Sequence, residues 1–240
     1  METGFNNTEN LEMGKDNNSE IEKIIENAWK MFCEYYDGKV SEYAKQLKND
    51  KKRANSHWIC WNESDLMLQF GRFFYKELDK IDSKIEIHFD KNLNENNFKH
   101  SGYTFDKNLN ENNFKHSGYT FAKKLPELKN NLGRYPKVDL IITPEDDYGP
   151  FLICGEAKYF HCSEESISRG GRTAEESIEK DFKTLSAIKK LGIAKNVVFI
   201  IFDDYYYYKE PEKSKNIENL LEKYNKEIKI LYHDSHAKTK

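Results

Sequence analysis

The spacing of apolar and polar positions divides the chain into a short series of helices and strands. Ser19 with Glu22 makes a capping-box pattern, after which Ile21, Ile25, Ala28, Phe32 and Tyr35 recur at helical spacing. A second helical stretch runs from Val40 to about Leu47. Asn62 reads as the N-cap of a third helix, with Asp65 three residues on and Leu66, Phe70, Phe73, Phe74 and Leu78 on its buried face. Residues 84–89, KIEIHF, alternate as a half-buried strand does. The runs VDLII and FLICG flank the turn-rich TPEDDYGP and predict two strands joined by a hairpin. Thr173 with Glu176 opens another helix, lined by Ile178, Phe182, Leu185 and Ile188 and closed by Gly192. NVVFIIF, residues 196–202, is a continuous apolar run that suits a buried central strand. A helix near 215–224 and a strand in EIKILYH end the chain. This order predicts an α/β fold, a mixed central sheet flanked by helices, with an N-terminal helical extension.

Residues 1–18 are polar and read as a disordered tail, which leaves 19–240 as a single domain. Within it the chain repeats itself: FDKNLNENNFKHSGYT at 89–104 recurs unchanged at 105–120. Solenoid repeats diverge and need at least three copies to build a core. Two identical polar copies instead indicate a duplication inside a surface connection, extending a loop or hairpin between the first two core strands, where added length costs little closure entropy. The spacing of His100 and His116 follows from the duplication and needs no ligand role.

Composition narrows the function classes. Lys and Arg total 38 against 41 Asp and Glu, a net charge of −3, so any nucleic-acid contact must come from a local basic patch. The basic turn KNDKKR at 48–53 could touch phosphate, although such a cluster is more commonly a solvated loop. Tyr205 to Tyr208 could stack on bases or, more commonly for such a patch, pack on their own domain. No apolar run reaches the length of a membrane span, and the N-terminus lacks a signal-peptide core. Cys33, Cys60, Cys154 and Cys162 show neither CxxC nor framework spacing, as expected of reduced thiols in a cytoplasmic protein.

The candidate chemistry lies in residues 135–160. Asp139 interrupts an apolar strand, where an uncompensated carboxylate is costly. Glu156 and Lys158 are two apart and therefore project from one face of the next strand. The structural alternative is a buried Asp–Lys–Glu ion-pair network, which is seldom kept for stability alone. Glu63 sits in the first turn of its helix, where the macrodipole favours an acid whether or not it has a further role. After the second strand, Arg169 and Arg172 flank Gly170-Gly171 in a polar loop that could lie over a phosphate backbone or be simply mobile.

Asp139 followed by Glu156-Ala157-Lys158 resembles the D…(D/E)xK signature of the PD-(D/E)XK nuclease (restriction-endonuclease-like) superfamily, over roughly residues 62–198. Lys137 separates Pro136 from Val138 and Asp139, so the proline of the pattern is displaced. The resemblance implies a restriction-endonuclease-like core in which Asp139 and Glu156 hold a divalent metal, magnesium or alternatively manganese. The backbone carbonyl of Ala157 would add an oxygen, Lys158 would sit by the attacking water, and Glu63 would reach the metal or its water. It further implies a DNA endonuclease of a defence, restriction or repair system, with Arg169 and Arg172 as nucleic-acid contacts and a homodimer where both strands are cut. An RNA nuclease, or a catalytically inactive nucleic-acid- or protein-binding scaffold on the same fold, is the alternative.

Overall fold

The computed structural model describes residues 9–46, 60, 62–80, 85–93, 117–144, 150–160, 171–203 and 211–234. In chain order these form α1 (Glu9–Gln46), α2 (Glu63–Leu78), β1 (Ile85–Asn92), α3 (Ser117–Leu132), β2 (Lys137–Pro144), β3 (Phe151–Phe160), α4 (Gly171–Lys190), β4 (Ala194–Asp203), α5 (Pro211–Tyr224) and β5 (Lys229–Asp234). The strands make one sheet in the order β1-β2-β3-β4-β5. β1, β2 and β3 pair antiparallel, whereas β3, β4 and β5 pair parallel. Connection type explains the change: the short link between β2 and β3 reverses direction, while the α4 and α5 crossovers return the chain the same way.

Helices cover both faces. On one, Ile25, Phe32 and Phe70 of α1 and α2 pack against Leu140, Ala157, Val198, Ile200 and Phe202. On the other, Leu125, Phe182, Leu185 and Leu220 of α3, α4 and α5 pack against Ile141, Cys154, Phe199 and Ile201. β4 is buried on both sides, which is why its sequence is apolar without alternation. Aromatic rings fill the α1–α2 side, with Trp29 and Phe70 edge to face at 5.7 Å and Tyr36 against Phe202 at 4.6 Å.

Four local readings differ from the sequence expectation. Helix α1 starts at Glu9, within the segment expected as a tail, and runs unbroken past Ser19 and Gly38 to Gln46, so the separate helix expected from Val40 is its continuation. Extending a formed helix fixes one residue per added bond, so a polar sequence can continue it. Its buried stripe takes Tyr36, fully buried and four residues after Phe32, while Tyr35 is 37% exposed. Helix α3 stands between β1 and β2, where the sequence suggested only a loop or hairpin. Its Leu125 and Leu128 are buried, but Pro126 and a polar first turn obscure the pattern. By contrast, Gly192 does end α4: its φ is +63°, its N–H donates to Lys189, and the N–H of Ile193 donates to Ile188.

Cys33, Cys60 and Cys154 are buried thiols outside any disulfide. Among the described residues no helix is long and apolar enough to cross a membrane. Residues 48–53, Cys162, Tyr205 to Tyr208, His100 and His116 lie outside the described residues.

The repeat has a consequence that can be tested. The first four residues of the unit end β1, and the last four, as Ser117–Thr120, begin α3. Because the copies are identical, deleting 105–120 leaves one FDKN to finish β1 and one SGYT to start α3. Leu93, buried and bonded through its N–H to Pro136 O at 2.9 Å, is also retained. The single-copy protein should fold with a melting temperature within a few degrees of the parent. Any shift should be upward, since a roughly threefold shorter connection saves about 1 kcal/mol of closure entropy. Circular-dichroism melting checks this, and an unfolded deletion variant would show that the second copy supplies core contacts.

Candidate active site at the fork of two strands

The pairing of β2 with β3 covers Ile142↔Ile153, Ile141↔Cys154 and Leu140↔Gly155, and stops there. Beyond that point β2 stays with β1 as far as Lys137, and β3 stays with β4 as far as Phe160. The sheet therefore forks. Gly155 stands at the branch, where an added Cβ would lie 2.8 Å from Val198 Cγ1 and 3.2 Å from Leu140 Cβ. Only a residue without a side chain fits where three strands approach so closely.

Asp139 is the first residue of β2 past the fork. Its Oδ2 accepts the Ala157 N–H at 2.8 Å, in place of the ladder bond that the parting strands cannot make. Glu156 is buried beside it, and its pKa is pushed up to about 10. Burial is the main cause, followed by the charges of Asp139 and Asp181 and a side-chain hydrogen bond to Asp139; Lys158 opposes them. At neutral pH Glu156 thus carries a proton and donates it toward Asp139.

Lys158 projects from the same face of β3. Its Nζ lies 2.9 Å from Asp181 Oδ2 and 3.5 Å from Glu63 Oε1. Burial works against its charge, but the Asp181 and Glu63 carboxylates outweigh burial and raise its pKa. Glu63 is the first residue of α2, held in place by the Asn62 cap, whose Oδ1 accepts the Asp65 N–H at 2.9 Å. Burial raises the pKa of Glu63, Lys158 lowers it, and Asp139 raises it again.

Asp181 is the residue that sequence reasoning missed. It lies three residues after Ile178 and four before Leu185, on the buried face of α4. An acid on that stripe was the available signal, masked by the neighbouring Phe182. Burial raises its pKa, while Lys158 pulls it down.

The structure therefore brings together Asp139, Glu156, Lys158 and Glu63, all expected from the sequence, and adds Asp181. Arg169 lies outside the described residues; Arg172 falls in the first turn of α4, with its side chain outside them. The cluster holds four carboxyl groups and one ammonium, two of the carboxylates within ion-pair distance of it, an arrangement short of positive charge. Among the described residues no group of three or more Asp, Glu, His or Cys side chains is arranged to hold a metal ion. Asp139 and Glu156 make a pair of hard oxygen donors, and magnesium commonly takes one or two carboxylates while keeping several waters. Cys154, on the same strand, has its thiol pushed up by burial and by the Glu156 charge, so it is no nucleophile.

Compared with protein-family models, curated proteins and solved structures, the chain shows no match.

The Glu156 proton gives a pH signature. Between the ordinary carboxyl range and about pH 10 the folded chain holds a proton that the unfolded chain has lost, so stability falls as pH rises through that window. Glu156→Gln keeps a donor toward Asp139 and removes this slope. In the presence of a chelator, the variant should melt above the parent by a few degrees near pH 9, with the gap closing toward about pH 5. Equal melting at both ends would show that Glu156 is not protonated in the fold.

Proposed function

We propose that the chain is a divalent-metal-dependent nuclease with a restriction-endonuclease-like core, of the PD-(D/E)XK superfamily, that hydrolyses phosphodiester bonds in DNA. The observation that carries the reading is the meeting of Asp139, Glu156 and Lys158 at the fork, with the Ala157 N–H on Asp139 and Glu63 brought in by α2. The element order, α2, three antiparallel strands with α3 inserted between the first two, the crossover helix α4 and the parallel strand β4, supports it.

Asp139 and Glu156 would hold the ion, magnesium or in its place manganese, once Glu156 gives up its proton. The two backbone groups of one strand residue leave the same edge, so the Ala157 carbonyl opens on the side where its N–H meets Asp139. When bound, such an ion supplies Lewis acidity to the phosphoryl oxygens and makes its water a better nucleophile. Lys158 cannot ligate while charged, and its ammonium instead stabilises negative charge that develops on the phosphoryl group. Glu63, 3.5 Å from that ammonium, orients the attacking water. Arg169 and Arg172, following β3 in the chain, are the phosphate contacts of the substrate.

The test is single-turnover cleavage of duplex DNA in magnesium, with binding measured separately in calcium. Lys158→Ala should slow cleavage by roughly a hundredfold or more, since it removes an interaction realised in the transition state. Binding should weaken only modestly, because one ammonium is a small part of a phosphate-contact surface. A variant that cuts as fast as the parent would sink this assignment of the active site. A parent protein that binds but cuts no DNA or RNA substrate would make the chain a scaffold.

A further inference from the structure

The buried face of α4 is apolar at Ile178, Phe182, Leu185 and Ile188, yet Asp181 stands in the same stripe with its side chain only 15% exposed. A carboxylate in such a place is costly unless it is paired. Its partner is Lys158 at 2.9 Å. Asp181 is nearer to that ammonium and less exposed than the ammonium's other partner, Glu63, which lies 3.5 Å from it with its side chain 42% exposed. Among the described residues, the carboxylates within ion-pair distance of the Lys158 ammonium are those two, and not those of Asp139 or Glu156.

That division is not dictated by the chain alone. Lys158 is two residues from Glu156 on the same face of β3, on a flexible four-carbon stem. An ammonium tethered so closely has a high effective concentration at the Asp139–Glu156 pair. Left without a stronger partner it would settle there, fill the place of a cation and compete with one.

We propose that Asp181 is a positioning residue that draws the Lys158 ammonium off the Asp139–Glu156 pair and so keeps that pair open to a divalent ion. This rests on the metal site proposed above, and extends it to a residue outside the D…(D/E)xK pattern. Asp181 acts through Lys158, from a helix on the opposite face of the sheet from the one that carries Glu63.

The test needs no substrate and no turnover. Manganese affinity is measured calorimetrically for the parent, Asp181→Asn, Lys158→Met and the double variant, each first checked for folding by near-ultraviolet circular dichroism. Asp181→Asn alone should weaken binding by about tenfold or more, because the released ammonium competes for the site. In the Lys158→Met background the same change should cost no more than about threefold, the residue of a lost nearby charge. Asp181→Glu, which keeps the carboxylate, should restore most of the affinity. Should Asp181→Asn not fold, Asp181→Ser takes its place in the cycle. Equal losses in both backgrounds would mean a plain charge effect and overturn the positioning role, leaving the metal site intact. A folded parent that binds no manganese would overturn the metal site and this inference with it.

Discussion

The hydrogen bond from the Ala157 N–H to the Asp139 carboxylate is the contact on which the site depends. Two strands that stay paired over their whole length would satisfy each other's backbone and present no opening. Here β2 and β3 part after Leu140 and Gly155, and a side chain takes over a bond that the backbone has given up. That substitution fixes the Asp139 carboxylate beside Glu156. Gly155 makes the parting possible, because only a bare Cα fits between Val198 and Leu140.

Around this fork the fold gathers charge that it would not tolerate elsewhere. Glu63 arrives at the N-terminus of α2 from one layer, and Asp181 from the buried stripe of α4 in the other. Both are secured by helices that pack on the sheet through large apolar faces, so the packing bears the electrostatic cost. The upward shifts of Glu63, Glu156 and Asp181 express that cost: burial disfavours each charge, and one lysine is too little compensation. Perturbed carboxyls around a lysine mark a candidate functional site, and the divalent ion proposed above would supply the positive charge that is short there.

Much of this was legible in the sequence. The strands showed because alternation marks a half-covered strand and a continuous apolar run marks a doubly covered one, as β1 and β4 turned out to be. Asp139, Glu156 and Lys158 showed because a strand has a period of two and because a charge inside an apolar run needs a reason. Asp181 did not show, since at helical spacing Phe182 next to it accounts for the same face. Helix α3 was hidden by Pro126 and by a first turn, Ser117–Thr120, whose sequence also belongs to a repeated polar unit. The start of α1 was hidden because a capping pattern at Ser19 signals a terminus locally, while the helix continues through it to Glu9.

The central claim is that the Asp139–Glu156 pair is an open cation site from which Lys158 is held away. Anomalous diffraction from crystals grown with manganese addresses it most directly, because it locates the ion and the lysine in one map. The account predicts a peak against the carboxylates of Asp139 and Glu156, with the Lys158 ammonium still beside Asp181. A Lys158 ammonium seated between Asp139 and Glu156, or manganese bound only elsewhere, would contradict it.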